Sequence, residues 1–106
     1  MGDLHGCFAL LMARLRRLRF DPWADLLISV GDLIDRGPQS ADCLGLLRSR
    51  WFRAVRGNHE QMALEALESG DMTLWQMNGG DWYARSNVRQ RADVDRLLAR
   101  CQRLPL

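Results

Sequence analysis

The sequence predicts an α/β fold, and two observations carry that expectation. Apolar residues recur at helical spacing in three segments with two short apolar runs between them, so residues 5–69 alternate helix, strand, helix, strand, helix. Each apolar run leads into a glycine-containing polar cluster, the form taken by strand-to-helix loops in open α/β sheets. Strands separated by a helix need crossover connections, and short apolar runs of this kind are found in parallel or mixed sheets.

The elements follow in order. In residues 7–20, Phe8, Leu11, Leu15 and Leu18 stand three or four apart with arginines between them, the pattern of an amphipathic helix stopped by Asp21-Pro22. Leu26-Leu27-Ile28-Ser29-Val30 reads as a buried strand. Gly37-Pro38 opens a second helix with Cys43, Leu44 and Leu47 facing inward. Residues 52–55 form a second strand ending at Arg56-Gly57, and Asn58 begins a third helix with Met62, Ala63, Ala66 and Leu67 on one face. The pattern changes after Gly70. Residues 72–83 are rich in Trp and Met, are broken at Gly79-Gly80, and read as a cap in which Trp75, Met77, Trp82 and Tyr83 pack and Asn78 turns the chain. Residues 93–104 are expected to form the last helix, with Val94, Leu97, Leu98 and Cys101 on its inner face.

Composition excludes several classes of function. At 106 residues the chain is in the range of one domain, and 47% hydrophobic with 26% charged residues rules out disorder or a fibrous repeat. The 15 basic residues, all arginine, nearly balance 13 acids, so no nucleic-acid partner is expected. Arg14, Arg16, Arg17 and Arg19 cluster, but they alternate with Leu15 and Leu18 and have no interleaved aromatic, which reads as a solvated helix face. Cys7, Cys43 and Cys101 are odd in number with no CxxC pair, which argues against a disulfide framework or zinc ribbon and for the reducing cytoplasm. The longest uncharged apolar stretch, residues 7–13, is far short of the ~20 residues of a membrane span, and no signal-peptide pattern opens the chain.

The chemistry collects in three loops: Gly2-Asp3-Leu4-His5-Gly6, Gly31-Asp32-Leu33-Ile34-Asp35-Arg36-Gly37 and Arg56-Gly57-Asn58-His59-Glu60. They hold both histidines of the chain, and strand ends of one sheet should bring them to one edge. Asp3, His5, Asp32 and Asn58 offer carboxylate, imidazole and amide donors, a set that suits Mn, Fe, Zn or Mg and lacks thiolate. Asp32, in the middle loop, could bridge two ions, and a two-metal site ~3.5–4 Å across activates water for attack on a phosphoryl group. Arg36 and Arg56 lie in the same loops, and a guanidinium fork matches phosphate oxygens. His59 can act as general acid toward a leaving alkoxide. A helix N-terminus disfavours an imidazolium, so His59 needs a carboxylate partner, and Asp35 is the natural candidate.

The three clusters resemble the GDxHG, GDxxDRG and GNHE signatures of the calcineurin-like metallophosphoesterases, in particular the phosphoprotein phosphatases. The segment Leu74-Trp75-Gln76-Met77-Asn78-Gly79-Gly80-Asp81-Trp82 is similar to a stretch of the bacterial and phage serine/threonine phosphatases, the enterobacterial enzymes among them. The resemblance implies the N-terminal half of a metallophosphoesterase β-sandwich flanked by helices. It makes Asp3 and His5 ligands of a first metal, Asp32 the bridge and Asn58 a ligand of the second. It makes His59 the general acid, Asp35 its partner, and Arg36 and Arg56 phosphate-binding residues. Manganese is the first choice of metal, with iron, zinc or magnesium as alternatives, and the substrate is a phosphoserine or phosphothreonine protein or peptide, or a phosphotyrosine one.

The family also uses two later histidines on its second metal, whereas both histidines here are already assigned. Met1 stands where an apolar strand would deliver Asp3, and Leu104-Pro105-Leu106 resembles the start of the strand leading to the first missing histidine. Residues 1–106 are therefore expected to be a partial domain without its first strand and C-terminal half, inactive alone and modestly stable. Two other readings stand beside the phosphatase. One is a symmetrical bis(5′-nucleosyl)-tetraphosphatase, which shares the three signatures. The other is a non-catalytic truncated module that holds a metal or a partner.

Overall fold

The computed structural model describes residues 4–105, so Asp3 lies outside the described residues. Two short strands, β1 (Leu27–Ser29) and β2 (Phe52–Ala54), pair in parallel with Leu27 opposite Phe52 and Ser29 opposite Ala54. The parallel arrangement follows from the connection between them. Residues 30–51 cross over through α2 (Ser40–Gly45), which continues as a tighter turn at Leu46–Arg48. Before the pair comes α1 (Phe8–Arg17); after it come α3 (Asn58–Ser69), the short α4 (Thr73–Trp75), α5 (Trp82–Arg85) and α6 (Val88–Cys101).

The helices cover one side of the strand pair. Leu33, Ile34, Cys43 and Leu44 from the middle loop and α2, Ala63 and Ala66 from α3, and Val94, Leu97 and Leu98 from α6 are buried together. The small residues of α3 let α6 approach it, and α2 packs on α6 as well. On the strands, Ser29, Phe52 and Ala54 are buried while Ile28, between flanking Leu26 and Val30, is more than half exposed. The reading of residues 26–30 as a fully buried strand is therefore corrected: only one face of β1 is covered by described residues.

Helix boundaries shift for identifiable reasons. Helix α1 ends at Arg17, because Arg19 takes a left-handed φ of +54° and Phe20 N–H bonds back to the Leu15 carbonyl, closing the helix before Asp21-Pro22 is reached. Leu18 consequently points to solvent. Helix α6 begins five residues earlier than expected. Asn87 accepts from Gln90 N–H and Gln90 Oε1 accepts from Asn87 N–H, a reciprocal cap that starts the helix before its first buried residue, Val94.

Candidate active site

The three polar loops are bound to one another at Asp32. Its carbonyl accepts from Leu4 N–H at 3.0 Å and His5 N–H at 2.9 Å, and Leu33 O accepts from Gly6 N–H at 2.8 Å, so the first loop runs beside the second. Asp32 Oδ1 accepts from His59 N–H at 3.0 Å. Helix α3 has glycine at its N-cap and so no capping side chain of its own; Asp32 supplies the missing acceptor from another loop. Gly57 is required for this approach, since a Cβ there would lie 2.3 Å from Asp32 N. Gly37 serves the other junction, where a Cβ would meet the His5 carbonyl at 2.0 Å.

Glu60, to which the sequence reading assigned no role, joins the second and third loops. Its Oε1 accepts from Asp32 N–H at 2.8 Å and Gly57 N–H at 3.0 Å, and its Oε2 from Leu33 N–H at 2.9 Å. Glu60 is fully buried. Burial pushes its carboxyl above the ordinary range, and the three backbone donors pull the other way. The sequence signal was present: a glutamate three residues after the N-cap is the second half of a capping box.

Backbone strain concentrates in the same loops. His5, Asp32, Asp35 and Arg36 all adopt left-handed φ, between +44° and +75°. Non-glycine residues hold such values only where the surroundings enforce them, and such positions gather at functional sites.

His5 Nδ1 donates to the Ile34 carbonyl at 3.0 Å, since a carbonyl can only accept. In the neutral ring the Nε2 nitrogen then carries the lone pair, the arrangement typical of a metal-binding imidazole steered by a backbone carbonyl. The edge of one imidazole meets the face of the other, with His5 and His59 centroids 4.7 Å apart. Asn58 opens α3 and its side chain is exposed. Imidazole, carboxylate and amide donors thus sit on adjoining loops, a chemistry that fits a divalent cation. Among the described residues no three of His, Cys, Asp and Glu gather into a metal-binding group. The fourth donor named from the sequence, Asp3, lies outside them, and Asn58 is an amide.

His59 Nδ1 lies 2.8 Å from Asp35 Oδ2, with the carboxylate fully buried and the imidazole nearly so. The indole N–H of Trp75 reaches both oxygens, at 3.1 and 2.9 Å, and that of Trp82 reaches Oδ1 at 2.7 Å. The sequence reading of both tryptophans as packing residues is right for the burial of Trp75 but omits these bonds. A buried indole N–H needs an acceptor, and that was the clue.

The two arginines are placed differently. Arg36 is exposed, beside Asp35. The guanidinium of Arg56 donates to Gln61 Oε1 at 2.8 Å and to the carbonyls of Gln102 and Leu104, at 2.7 and 3.4 Å. The structure thus brings His5, Asp32, Asp35, His59 and Asn58 onto interlocked loops and ties Arg56 to the end of α6.

Two parallel strands joined by a helical crossover, with polar loops gathered at the strand ends, make this an α/β protein with its site at one sheet edge, and comparison with known proteins places the chain. The calcineurin-like phosphoesterase family profile matches residues 1–100, and the chain belongs to that family. It is 62% identical to serine/threonine-protein phosphatase 1 of Salmonella typhimurium over 99% of the chain and 49% of that protein. To serine/threonine-protein phosphatase 2 of Escherichia coli it is 51% identical, covering 99% of the chain and 48% of the relative. A symmetrical bis(5′-nucleosyl)-tetraphosphatase of Methylococcus capsulatus is 37% identical over the whole chain and 37% of its own length. A crystal structure provisionally assigned as a diadenosine tetraphosphatase superposes with a TM-score of 0.64 at 29% identity, covering 89% of this chain and 39% of that one. The chain spans about half the length of the curated phosphatase relatives it matches.

Proposed function

We propose that this chain supplies the metal-ligand and proton-donor half of a phosphomonoester hydrolase acting on phosphoserine and phosphothreonine, with phosphotyrosine as a further substrate. The observation that carries the reading is the interlocking of three loops through Asp32, with a buried His59–Asp35 pair on the same loops. Asp3, His5, Asp32 and Asn58 would hold two divalent ions, manganese first. Bound there, the ions would acidify a water and offset charge on the phosphoryl oxygens.

The remaining steps belong to side chains. Asp35 accepts from His59 Nδ1, which leaves Nε2 as the nitrogen able to hand a proton to the leaving serine or threonine alkoxide. Arg36 would bind a phosphate oxygen. Arg56 would do so on exchanging the Gln102 and Leu104 carbonyls for phosphate. Free cysteines at positions 7, 43 and 101 support a cytoplasmic setting.

The tetraphosphatase reading keeps support from the Methylococcus relative and the superposed crystal structure. Against it, the Trp75 to Trp82 segment resembles the bacterial phosphatases. The test supplies Mn to the protein carrying this chain and compares a phosphoserine peptide with diadenosine tetraphosphate. Preference for the peptide is expected, preference for the dinucleotide would transfer the assignment, and metal binding with hydrolysis of neither would favour a binding module. We also propose that residues 1–106 alone are nearly inactive, because Asp32 and Asn58 leave a second ion poorly held. Calorimetric titration of the isolated chain with Mn should find one site at most; two tight sites with turnover would refute this.

A further inference from the structure

The segment from Trp75 to Trp82 does more than fill space over the helices. Two helical turns separate these tryptophans in sequence, and an unbroken helix would set them about 10 Å apart along its axis. The chain breaks instead at Asn78 and Gly79, where Gly79 takes a φ of +101°. The break folds the two indoles together, with centroids 5.9 Å apart and rings at 85°. Both N–H groups then meet one carboxylate, that of Asp35.

The two glycines make this possible. A Cβ on Gly79 would lie 3.0 Å from Arg36 N and 3.2 Å from the Asp35 Cβ, so only glycine combines this φ with so close an approach to the Asp35–Arg36 backbone. A Cβ on Gly80 would lie 2.4 Å from the Trp75 indole. The Trp-x-x-Asn-Gly-Gly-x-Trp stretch is thus shaped around Asp35.

The consequence falls on His59. A fully buried carboxylate held by the imidazole alone could rotate about its Cβ–Cγ bond and turn its oxygens out of line with Nδ1. With Trp82 on Oδ1 and Trp75 on both oxygens, that rotation strains three further contacts, and Oδ2 stays aimed at Nδ1. A fixed acceptor on Nδ1 keeps the Nδ1 proton in place, so the proton that the imidazolium can give up is the one on Nε2. We propose that Trp75 and Trp82 are positioning residues: their indole N–H groups orient Asp35, and through it hold the His59 ring with Nδ1–H on the carboxylate and Nε2, which carries the second proton of the imidazolium, turned to protonate a leaving alkoxide. This rests on the reading of His59 as the general acid.

Trp82→Phe, which removes the N–H and keeps an aromatic ring at a half-buried position, tests it in the protein carrying this chain. A phosphoserine peptide needs its leaving group protonated, whereas p-nitrophenyl phosphate does not. The variant should lose about tenfold in kcat on the peptide, a part of the roughly 10²–10⁴ that general acid catalysis supplies, and at most about twofold on the aryl ester. The ratio of the two kcat values cancels any unfolded fraction. In a His59→Asn background, Trp82→Phe should change neither value further, because its effect passes through His59. Equal losses on both substrates, or a full loss persisting without His59, would overturn the proposal.

A second readout does not depend on turnover. In the ¹⁵N-labelled protein, Trp82→Phe should move the His59 ring nitrogens from a pure Nδ1–H tautomer toward a mixture, and Asp35→Asn should shift both indole N–H resonances. Unchanged ring and indole signals would refute the clamp even in an active enzyme. If the wild type hydrolyses neither ester while these signals respond, the functional reading fails and the clamp stands.

Discussion

Asp32 holds a left-handed backbone while its N–H and carboxylate reach Glu60 and His59 at the start of α3 and its carbonyl reaches the first loop. Its structural and metal-binding tasks can be separated. Asn tolerates the left-handed region and keeps an oxygen for His59 N–H, so Asp32→Asn should leave stability within about 0.5 kcal/mol while weakening Mn binding at least tenfold. Asp32→Ala removes the cap as well and should cost about 1–2 kcal/mol. Urea midpoints and Mn titration of the two variants check the split. At Glu60 a single substitution should be severe. Gln has one acceptor oxygen, whereas the site offers three N–H donors on two oxygens, so Glu60→Gln turns an N–H₂ toward an N–H and should cost roughly 1–3 kcal/mol in urea unfolding. A neutral result would show that the loops are joined by other means.

At the scale of elements, helices are started by neighbours as often as by their own sequence. Helix α1 has no capping side chain of its own, and Gln39 Oε1 accepts from Ala9 N–H at 2.8 Å; helix α3 borrows Asp32. Helix α6 is capped from its own sequence, by Asn87 and Gln90. Asn87→Ala should therefore cost about 1 kcal/mol and fray residues 88–92, seen as faster amide exchange there with exchange near Leu97 and Leu98 little changed. The order of helices and strands was legible in the apolar spacing, because each buried face follows the period of its element. Boundaries were not. Val88 is exposed, so the first turn of α6 adds nothing to an apolar pattern, and the left-handed turn at Arg19 leaves no mark of its own in composition.

Across the whole molecule, the absence of lysine sharpens the response to alkali. All 15 basic side chains are arginine, so the alkaline response falls to buried thiols and the tyrosine, with no lysine beside them. Burial pushes the Cys43 and Cys101 thiols up to about 12, and burial with the Asp95 hydrogen bond pushes Tyr83 up to about 12. A raised folded pKa means that the unfolded chain ionises first. Stability is then unaffected below pH 9 and falls as pH rises toward 12, at up to about 1.4 kcal/mol per unit for each buried thiol. Urea midpoints at pH 8 and pH 10 should show the drop, with a shallower slope in Cys101→Val. In native protein, a thiol reagent should modify half-buried Cys7 well before Cys43 or Cys101.

The α/β order, the three polar loops and the family they mark could all be read from residue types and spacing, since turns, helix faces and metal donors each demand particular side chains locally. The convergence of distant residues could not. Asp32 as the cap of α3, Glu60 as the tie between two loops, and the two indoles on Asp35 link positions 27 to 47 residues apart. The hydrogen bonds of a buried carboxylate are chosen by whatever donors the packed chain brings beside it. Periodicity carries no record of that choice, because it reports which face of an element is buried and not what waits on the other side.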